Sequence, residues 1–130
     1  MNLESQVCSL ELSKRLKELG VKQESLFWHC VNVGSGNVVL LHAIGTNGEA
    51  SGETCSAFTA SELGEMLCSY NIVTSKYKKG SKYIWEVYVQ DVAMRINKTY
   101  EPSHIADTET DARAKMLIHL IENKLMEIPR

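Results

Sequence analysis

The sequence lacks several features that would assign it to a specialised class of protein. Its 14 basic and 16 acidic side chains nearly cancel, to a formal charge of −2, so no overall field attracts it to nucleic acid or to an anionic membrane. No apolar run approaches the roughly 20 residues of a membrane span. The charged, amphipathic beginning, MNLESQVCSLELSKRLKELG, is not typical of a signal peptide. We therefore expect a cytoplasmic protein.

The four cysteines also lack the close spacing of metal sites and redox pairs. Cys8, Cys30, Cys55 and Cys68 are scattered singly, with no CxxC pair, and isolated cysteines usually behave as small buried hydrophobes. Only Cys55, in the Gly/Ser/Thr-rich stretch GTNGEASGETCS, is expected to be exposed, and no histidine is predicted beside it. The scattered cysteines predict no disulfide framework. Because a cysteine nucleophile needs a base within hydrogen-bond reach, we also expect no thiol enzyme.

Three stretches have the apolar spacing of amphipathic helices, in a chain whose 130 residues predict a single domain, 1–130. The first stretch runs from about Ser9 to Leu19 and stops at Gly20. The second begins at Thr59, which forms a capping box with Glu62. The third begins at Thr108, where surrounding carboxylates favour a helix start. Its apolar stripe predicts a helix that covers a sheet.

Five runs have the composition of strands. LFWHCVNV and VVLLHAI flank the turn GSGN, while IVTSKY and KYIWEVYV flank KKGS, with a turn predicted at Lys79-Gly80. VVLLHAI is apolar at nearly every position, as expected for a strand covered on both faces. VAMRIN, residues 92–97, alternates like a half-buried antiparallel strand. The element order predicts an α+β fold: an antiparallel sheet of about five strands, two hairpins plus one strand, with three amphipathic helices packed on it.

Three of these stretches together resemble a family of small proteins encoded by phages and prophages, some of them in Bacteroides-type genomes. The resemblance is carried by VCSLELSKRLKELGVKQESLFWH, CSAFTASELGEML and ADTETDARAKMLIHLIENKL. The last of these is also similar to the terminal helix of the phage ABA sandwich domain, whose layers are helix, sheet and helix. The resemblance implies a phage or prophage origin, and it implies no catalytic residues.

The histidines and glycines give no clear chemical site. No histidine pair has the spacing of a metal site, such as HxxxH. Counting outward from a turn at Ser35-Gly36 places His29 opposite His42, a pair that could hold a metal or ligand, although one buried and one edge histidine is the commoner arrangement. GSGN and GTNGEASG lack the Lys-Ser/Thr that follows in phosphate-binding loops. The sequence therefore predicts no catalytic residue, no cofactor, no metal and no enzyme.

The segment RLKELGVKQESLFW has one feature of a DNA-binding motif. Leu16, Gly20 and Leu26 have the spacing of the turn in a helix-turn-helix. A DNA reader would continue into a recognition helix, whereas here the β-rich run LFWHCVNV follows within a few residues. The favoured interpretation is a capped helix that leads into a strand.

The hairpin SKYKKGSKYIWEVY combines lysines with aromatic side chains. Positive charge and stacking surface are what single-stranded nucleic acid or another acidic partner requires, although lysines also protect edge strands from pairing with other chains. The candidate contact residues are Lys76, Tyr77, Lys78, Lys79, Lys82, Tyr83 and Trp85. We expect the protein to act by binding another protein, including a second copy of itself. Nucleic-acid binding through residues 74–88 is the alternative, and no membrane partner is expected.

Overall fold

The computed structural model describes residues 3–32, 38–42, 52–67, 72–89 and 103–129. Within these ranges the chain forms an α+β fold with antiparallel sheets, as the sequence predicts. The helices are α1 (Leu10–Glu18), α2 (Ala60–Met66) and α3 (Glu109–Glu122), with a short 3₁₀ helix at Leu3–Ser5. The strands are β1 (Phe27–Asn32), β2 (Val38–His42), β3 (Gly52–Ser56), β4 (Ile72–Lys79), β5 (Lys82–Val89) and β6 (Ser103–Ala106).

The described strands form two three-stranded antiparallel sheets, with the orders β2-β1-β3 and β4-β5-β6. The described strands thus number six in two sheets, and the prediction of one sheet of about five strands is not matched exactly. The sequence pattern predicts neither β3, which lies inside the Gly/Ser/Thr-rich stretch 45–56, nor β6. Neither GETCS nor SHIA shows the apolar–polar alternation that identifies a half-buried strand. The strand predicted at residues 92–97 lies outside the described residues.

The helix starts agree with the sequence prediction. The side chains of Ser9, Thr59 and Thr108 each accept a hydrogen bond from a backbone N–H in the first turn of α1, α2 and α3. Thr59 and Glu62 form the complete capping box. Gly20 follows α1 with a φ of 92°, in the left-handed region that glycine adopts without steric cost. Local capping chemistry thus fixes where these helices begin.

Helix α3 is enclosed on most of its circumference. Eight of its 14 residues are buried, which is more than one apolar stripe provides. The helix packs against β5 and β6, as expected for a cover over a sheet, but it also packs against α1 and α2. The prediction of a simple cover is therefore incomplete, because α3 runs through the core. The buried residues of α3 are Thr110, Ala112, Ala114, Met116, Leu117, Ile118, Leu120 and Ile121.

The segment before α1 is tied to α2 and α3. The backbone N–H of Cys8 donates to the carbonyl of Phe58 at 2.8 Å. The N–H of Ser9 donates to Oδ1 of Asp111 at 2.8 Å, so one carboxylate links the starts of α1 and α3. These bonds join parts of the chain separated by up to about a hundred residues, and they close the core at the end where the helices begin.

Candidate functional site

The β4–β5 hairpin ends in an exposed arm, which we define as residues 76–83 and call the lysine arm. All eight of its residues are exposed. Lys79 pairs with Lys82, so the two-residue turn is Gly80-Ser81 and the predicted turn at Lys79-Gly80 is wrong by one residue. Gly80 has a φ of 66°, which the first position of a tight hairpin turn requires. The arm carries four lysines and no carboxylate, so it is a local positive surface.

The candidate contact residues lie in one hairpin but on both of its faces. Residues that pair across an antiparallel ladder share a face, and the faces alternate along each strand. The observed pairs place one group on the face that leads back to the core and the other group on the opposite face. The first group is Lys76, Lys78, Tyr83 and Trp85, and the second is Tyr77, Lys79 and Lys82.

Lys76 covers the aromatic rings on its own face of the arm. Its Nζ lies 4.8 Å from the ring centroid of Tyr83 and 5.4 Å from that of Trp85, both within the range of a cation–π interaction. A nucleic-acid base that stacks on the ring face that Lys76 covers has to displace this ammonium group. The arrangement therefore offers charge to an acidic partner more readily than it offers open stacking surface.

The first hairpin does not bring His29 and His42 opposite each other. His29 pairs with Leu40, and His42 pairs with Phe27, so the predicted register is wrong. The His29 ring is buried, and its Nε2 lies 2.7 Å from the carbonyl oxygen of Cys8. It thus acts as a structural link between β1 and the segment before α1. Among the described residues, no group of three or more His, Cys, Asp or Glu side chains is placed to hold a metal ion.

Cys55 is buried rather than exposed, because it lies in β3 and not in a loop. It pairs with His29 of β1, a proximity that the sequence does not predict. The nearby thiol of Cys8 is fully buried, and burial raises its pKa from 9.0 to about 12 despite a hydrogen bond with Ser13. Burial likewise raises the pKa of Cys30. Thiols held in their protonated form are poor nucleophiles. Cys68 lies outside the described residues.

The helix-turn-helix interpretation fails after Gly20. Residues 21–26 contain no helix, and the chain enters β1 at Phe27. A recognition helix is therefore missing from the place where the motif requires one. The favoured prediction, a capped helix that leads into a strand, is confirmed.

The edges of the two sheets differ in how they are protected, and β3 is closed by side chains. Lys17 of α1 donates from Nζ to the carbonyl of Thr54 at 2.6 Å. Two residues further on, the N–H of Ser56 donates to Oε1 of Gln23 at 2.7 Å. An edge strand exposes a row of such groups to other chains unless something covers them. At β3, side chains from α1 and the segment after it bond the described outer edge.

The second sheet protects its edges in two other ways. Lys115 of α3 donates from Nζ to the carbonyl of Ile105 at 2.9 Å, which covers the middle of the four-residue edge strand β6. The other edge, β4, carries Lys76, Lys78 and Lys79. Edge lysines oppose pairing with another strand because the approaching chain must bury or repel their charges.

Strand β2 has neither form of protection within the described part of the chain. It pairs only with β1 among the described strands, and no described side chain bonds its backbone. Its sequence, VVLLH, carries no lysine, arginine or carboxylate. Val38 is 45% exposed and Val39 is 50% exposed. Consecutive strand residues face opposite sides, so the prediction that this run is covered on both faces is wrong at both residues.

The sequence shows the apolar character of β2 but not its position at an edge. The edge depends on β3, which occupies the other side of β1, and β3 has no strand signal of its own. The sequence signal that could have identified this edge is a run of five residues without a formal charge, VVLLH, beside a stretch rich in glycine and serine.

No protein-family model, no curated protein and no solved structure matches the chain. Among the described helices, none is both long and apolar enough to cross a lipid bilayer. The surfaces described above, and not similarity to a relative, therefore carry the functional interpretation.

Proposed function

We propose that this chain acts by binding another protein, which adds a strand to the outer edge of β2. The observation that supports this most is the contrast between the edges: β3 and β6 are bonded by side chains, β4 carries lysines, and the described edge of β2 is uncharged. In strand addition, the main-chain hydrogen bonds supply affinity and alternate side chains supply specificity. The exposed Val38 and Val39 favour a partner strand with β-branched or other apolar side chains.

The resemblance to phage- and prophage-encoded proteins gives the setting of this proposal. In that setting the chain is an accessory protein that works in the host cytoplasm and has no catalytic role. Its described thiols are buried, with the pKa values of Cys8 and Cys30 raised. A binding role needs none of the groups that an enzyme would need.

A selection from a library of displayed random peptides tests the proposal. Immobilised protein should enrich uncharged segments with alternating β-branched residues. Val39→Lys should abolish this enrichment, because a strand that pairs there has to bury the new charge. Tyr77→Lys is the matched control, since it places a lysine at a similarly exposed position of β4. Enrichment that survives Val39→Lys would overturn the proposed surface.

Nucleic-acid binding through the lysine arm is the second candidate, and the observation that favours it is four exposed lysines without a carboxylate. Retention on a single-stranded DNA column tests it. If the lysines contact phosphates, retention should fall steeply as salt rises, because binding releases counterions. Replacing Lys76, Lys78, Lys79 and Lys82 by Gln should abolish it. Failure of the wild type to bind at about 50 mM salt, where such contacts are strongest, would exclude this candidate.

A further inference from the structure

We infer that the strand added to β2 is the β2 strand of a second copy of this chain, in an antiparallel arrangement about a two-fold axis. The inference rests on the proposed function and names its partner. A two-fold contact uses the same surface on both copies, so the surface has to be complementary to itself. The edge strands of this protein differ in how well each could pair with a copy of itself, and β2 is the best suited.

Charge is the first reason. Because β2 carries no formal charge, pairing it with itself brings no like charges together. The same arrangement at β4 would bring Lys76, Lys78 and Lys79 of both copies to one seam, and like charges directly opposite each other destabilise a pair of strands. A second copy's β4 is also a poor partner for β2, which has no carboxylate to receive its lysines.

Backbone geometry is the second reason. Alternate residues of an antiparallel strand direct both backbone groups outward, away from the neighbour that they already pair with. A two-fold axis through Leu40 pairs Val38 with His42 of the other copy and Val39 with Leu41. Every pair then joins two even-numbered or two odd-numbered residues. The backbone N–H and C=O groups that point away from β1 in one copy therefore meet the corresponding groups of the other copy. The exposed Val38 and Val39 then lie at the interface between the two β2 strands.

The protected edges explain why such an association stops at two copies. The joined sheet has the order β3-β1-β2-β2-β1-β3, so both of its outer strands are β3. Lys17 and Gln23 already bond the outer groups of Thr54 and Ser56. In the described part of the chain, the dimer exposes no further unprotected edge of this sheet. Pairing of this kind therefore forms a closed dimer rather than a fibre.

Sedimentation velocity and light scattering over a concentration range, up to about 100 μM, test the inference. We expect a dimer for the wild type, a monomer for Val39→Lys and a dimer for the matched control Tyr77→Lys. Circular dichroism should show that all three are folded. A Val39→Lys protein that remains dimeric would place the contact elsewhere and overturn the inference. Species larger than a dimer would contradict the closure by β3.

A cysteine at the proposed axis tests the register. In a Cys68→Ser background, oxidised Leu40→Cys should give a covalent dimer, since two directly opposed strand residues lie at a separation that a disulfide can bridge. Leu26→Cys is the exposed control and should remain uncrosslinked. A dimer that forms without a Leu40→Cys crosslink would overturn the two-fold register.

The two proposals fail in different ways. A wild-type monomer that still selects β2-dependent peptides would leave strand addition in place and overturn the second copy as partner. A monomer that selects no peptide at β2 would overturn both.

Discussion

Arg113 of α3 lies across Gly64 of α2 so closely that a Cβ at position 64 would stand 2.5 Å from its Nη1 atom. The same Nη1 donates to the carbonyl of Ala60 at 2.8 Å, and Nη2 pairs with Glu109 at 2.8 Å. The guanidinium group thus joins α2 to α3 across Gly64, and a side chain at position 64 requires this group to move. Polar contacts therefore add to apolar burial in holding these two helices together.

This relationship predicts that Gly64→Ala has opposite effects in two backgrounds. An alanine in a helix is ordinarily favoured over glycine by about 1 kcal/mol. Here it forces Arg113 away from Ala60, and losing a hydrogen bond to a charged group costs about 1.5–3 kcal/mol. We expect Gly64→Ala to lower the free energy of unfolding by about 1 kcal/mol in the wild type. In an Arg113→Ala background it should raise that energy. Urea unfolding of the four proteins gives the sign, and stabilisation in both backgrounds would contradict the packing.

Glu62 predicts a second, larger effect than the helix cap alone. Its Oε1 accepts from the N–H of Thr59 at 2.9 Å and from Oγ of Ser25 at 2.8 Å, and its Oε2 accepts from the N–H of Leu26 at 3.3 Å. Thr59→Ala should cost about 1 kcal/mol through loss of the cap. Glu62→Ala should cost more, because three donors lose one acceptor. Thermal melts with Glu65→Ala as the exposed control decide the ranking, and an equal cost for the two variants would show that the bonds to residues 25 and 26 contribute nothing.

Leu120 tests whether α3 is the centre of the core. Its side chain is fully buried. Leu120→Ala should destabilise the protein by about 2–5 kcal/mol. Leu120→Asp should prevent folding, since a buried unpaired carboxylate costs several kcal/mol against a total stability of roughly 5–15 kcal/mol. Far-ultraviolet circular dichroism and chemical denaturation measure both variants, with the exposed Glu122→Ala as control. A cooperatively folded Leu120→Asp protein would remove α3 from the core.

The helices were predictable because their signals are local. Thr59 and Glu62 sit three residues apart, and Ser9 and Thr108 mark helix starts by the same chemistry. The strands β4 and β5 were predictable because eight-residue runs flank a turn residue, Gly80. The burial of eight of the 14 residues of α3 is not a local property, because it depends on which elements surround the helix.

The candidate site was predictable only where composition alone defines it. The lysine arm follows from four lysines near a turn, but the pairing of Lys76 with Trp85 and of Lys78 with Tyr83 follows from a turn that lies one residue later than predicted. The β2 edge was not predictable, because it depends on a long-range pairing of β1 with β3. The loss of the His29–His42 pair has a different cause: His29 pairs with Leu40, two residues from the predicted partner, and a shift in register moves every opposed pair of a hairpin.

The pKa of Cys8 predicts a loss of stability at alkaline pH. Its folded-state pKa, about 12, lies above the ordinary value of 9.0 because burial disfavours the thiolate. The unfolded chain therefore releases this proton first. The stability that Cys8 contributes is full below about pH 9 and is lost as the pH rises toward about 12. Chemical denaturation across that range should show a steeper decline for the wild type than for Cys8→Ala. Parallel declines would contradict a thiol that stays protonated in the folded state.

Neutralising the lysine arm separates a binding role from an edge-protecting role. Replacing all four lysines of the arm by Gln should leave the melting temperature nearly unchanged, because exposed charges contribute little to stability. If the lysines protect β4, the variant should associate or aggregate more than the wild type, which light scattering measures. A variant that neither associates more nor loses a nucleic-acid partner would leave the arm without either role.

The bonds between the segment before α1 and the start of α3 also govern the order of events during synthesis. Ser9 and Asp111 are 102 positions apart, and a ribosome adds about 5–20 residues per second. For roughly 5–20 seconds, therefore, α1 lacks its contacts with α3, and β1 can pair with β2 before α3 exists. During that interval the apolar β1–β2 hairpin is exposed beside an incomplete core, and it can meet neighbouring nascent chains on the same messenger RNA.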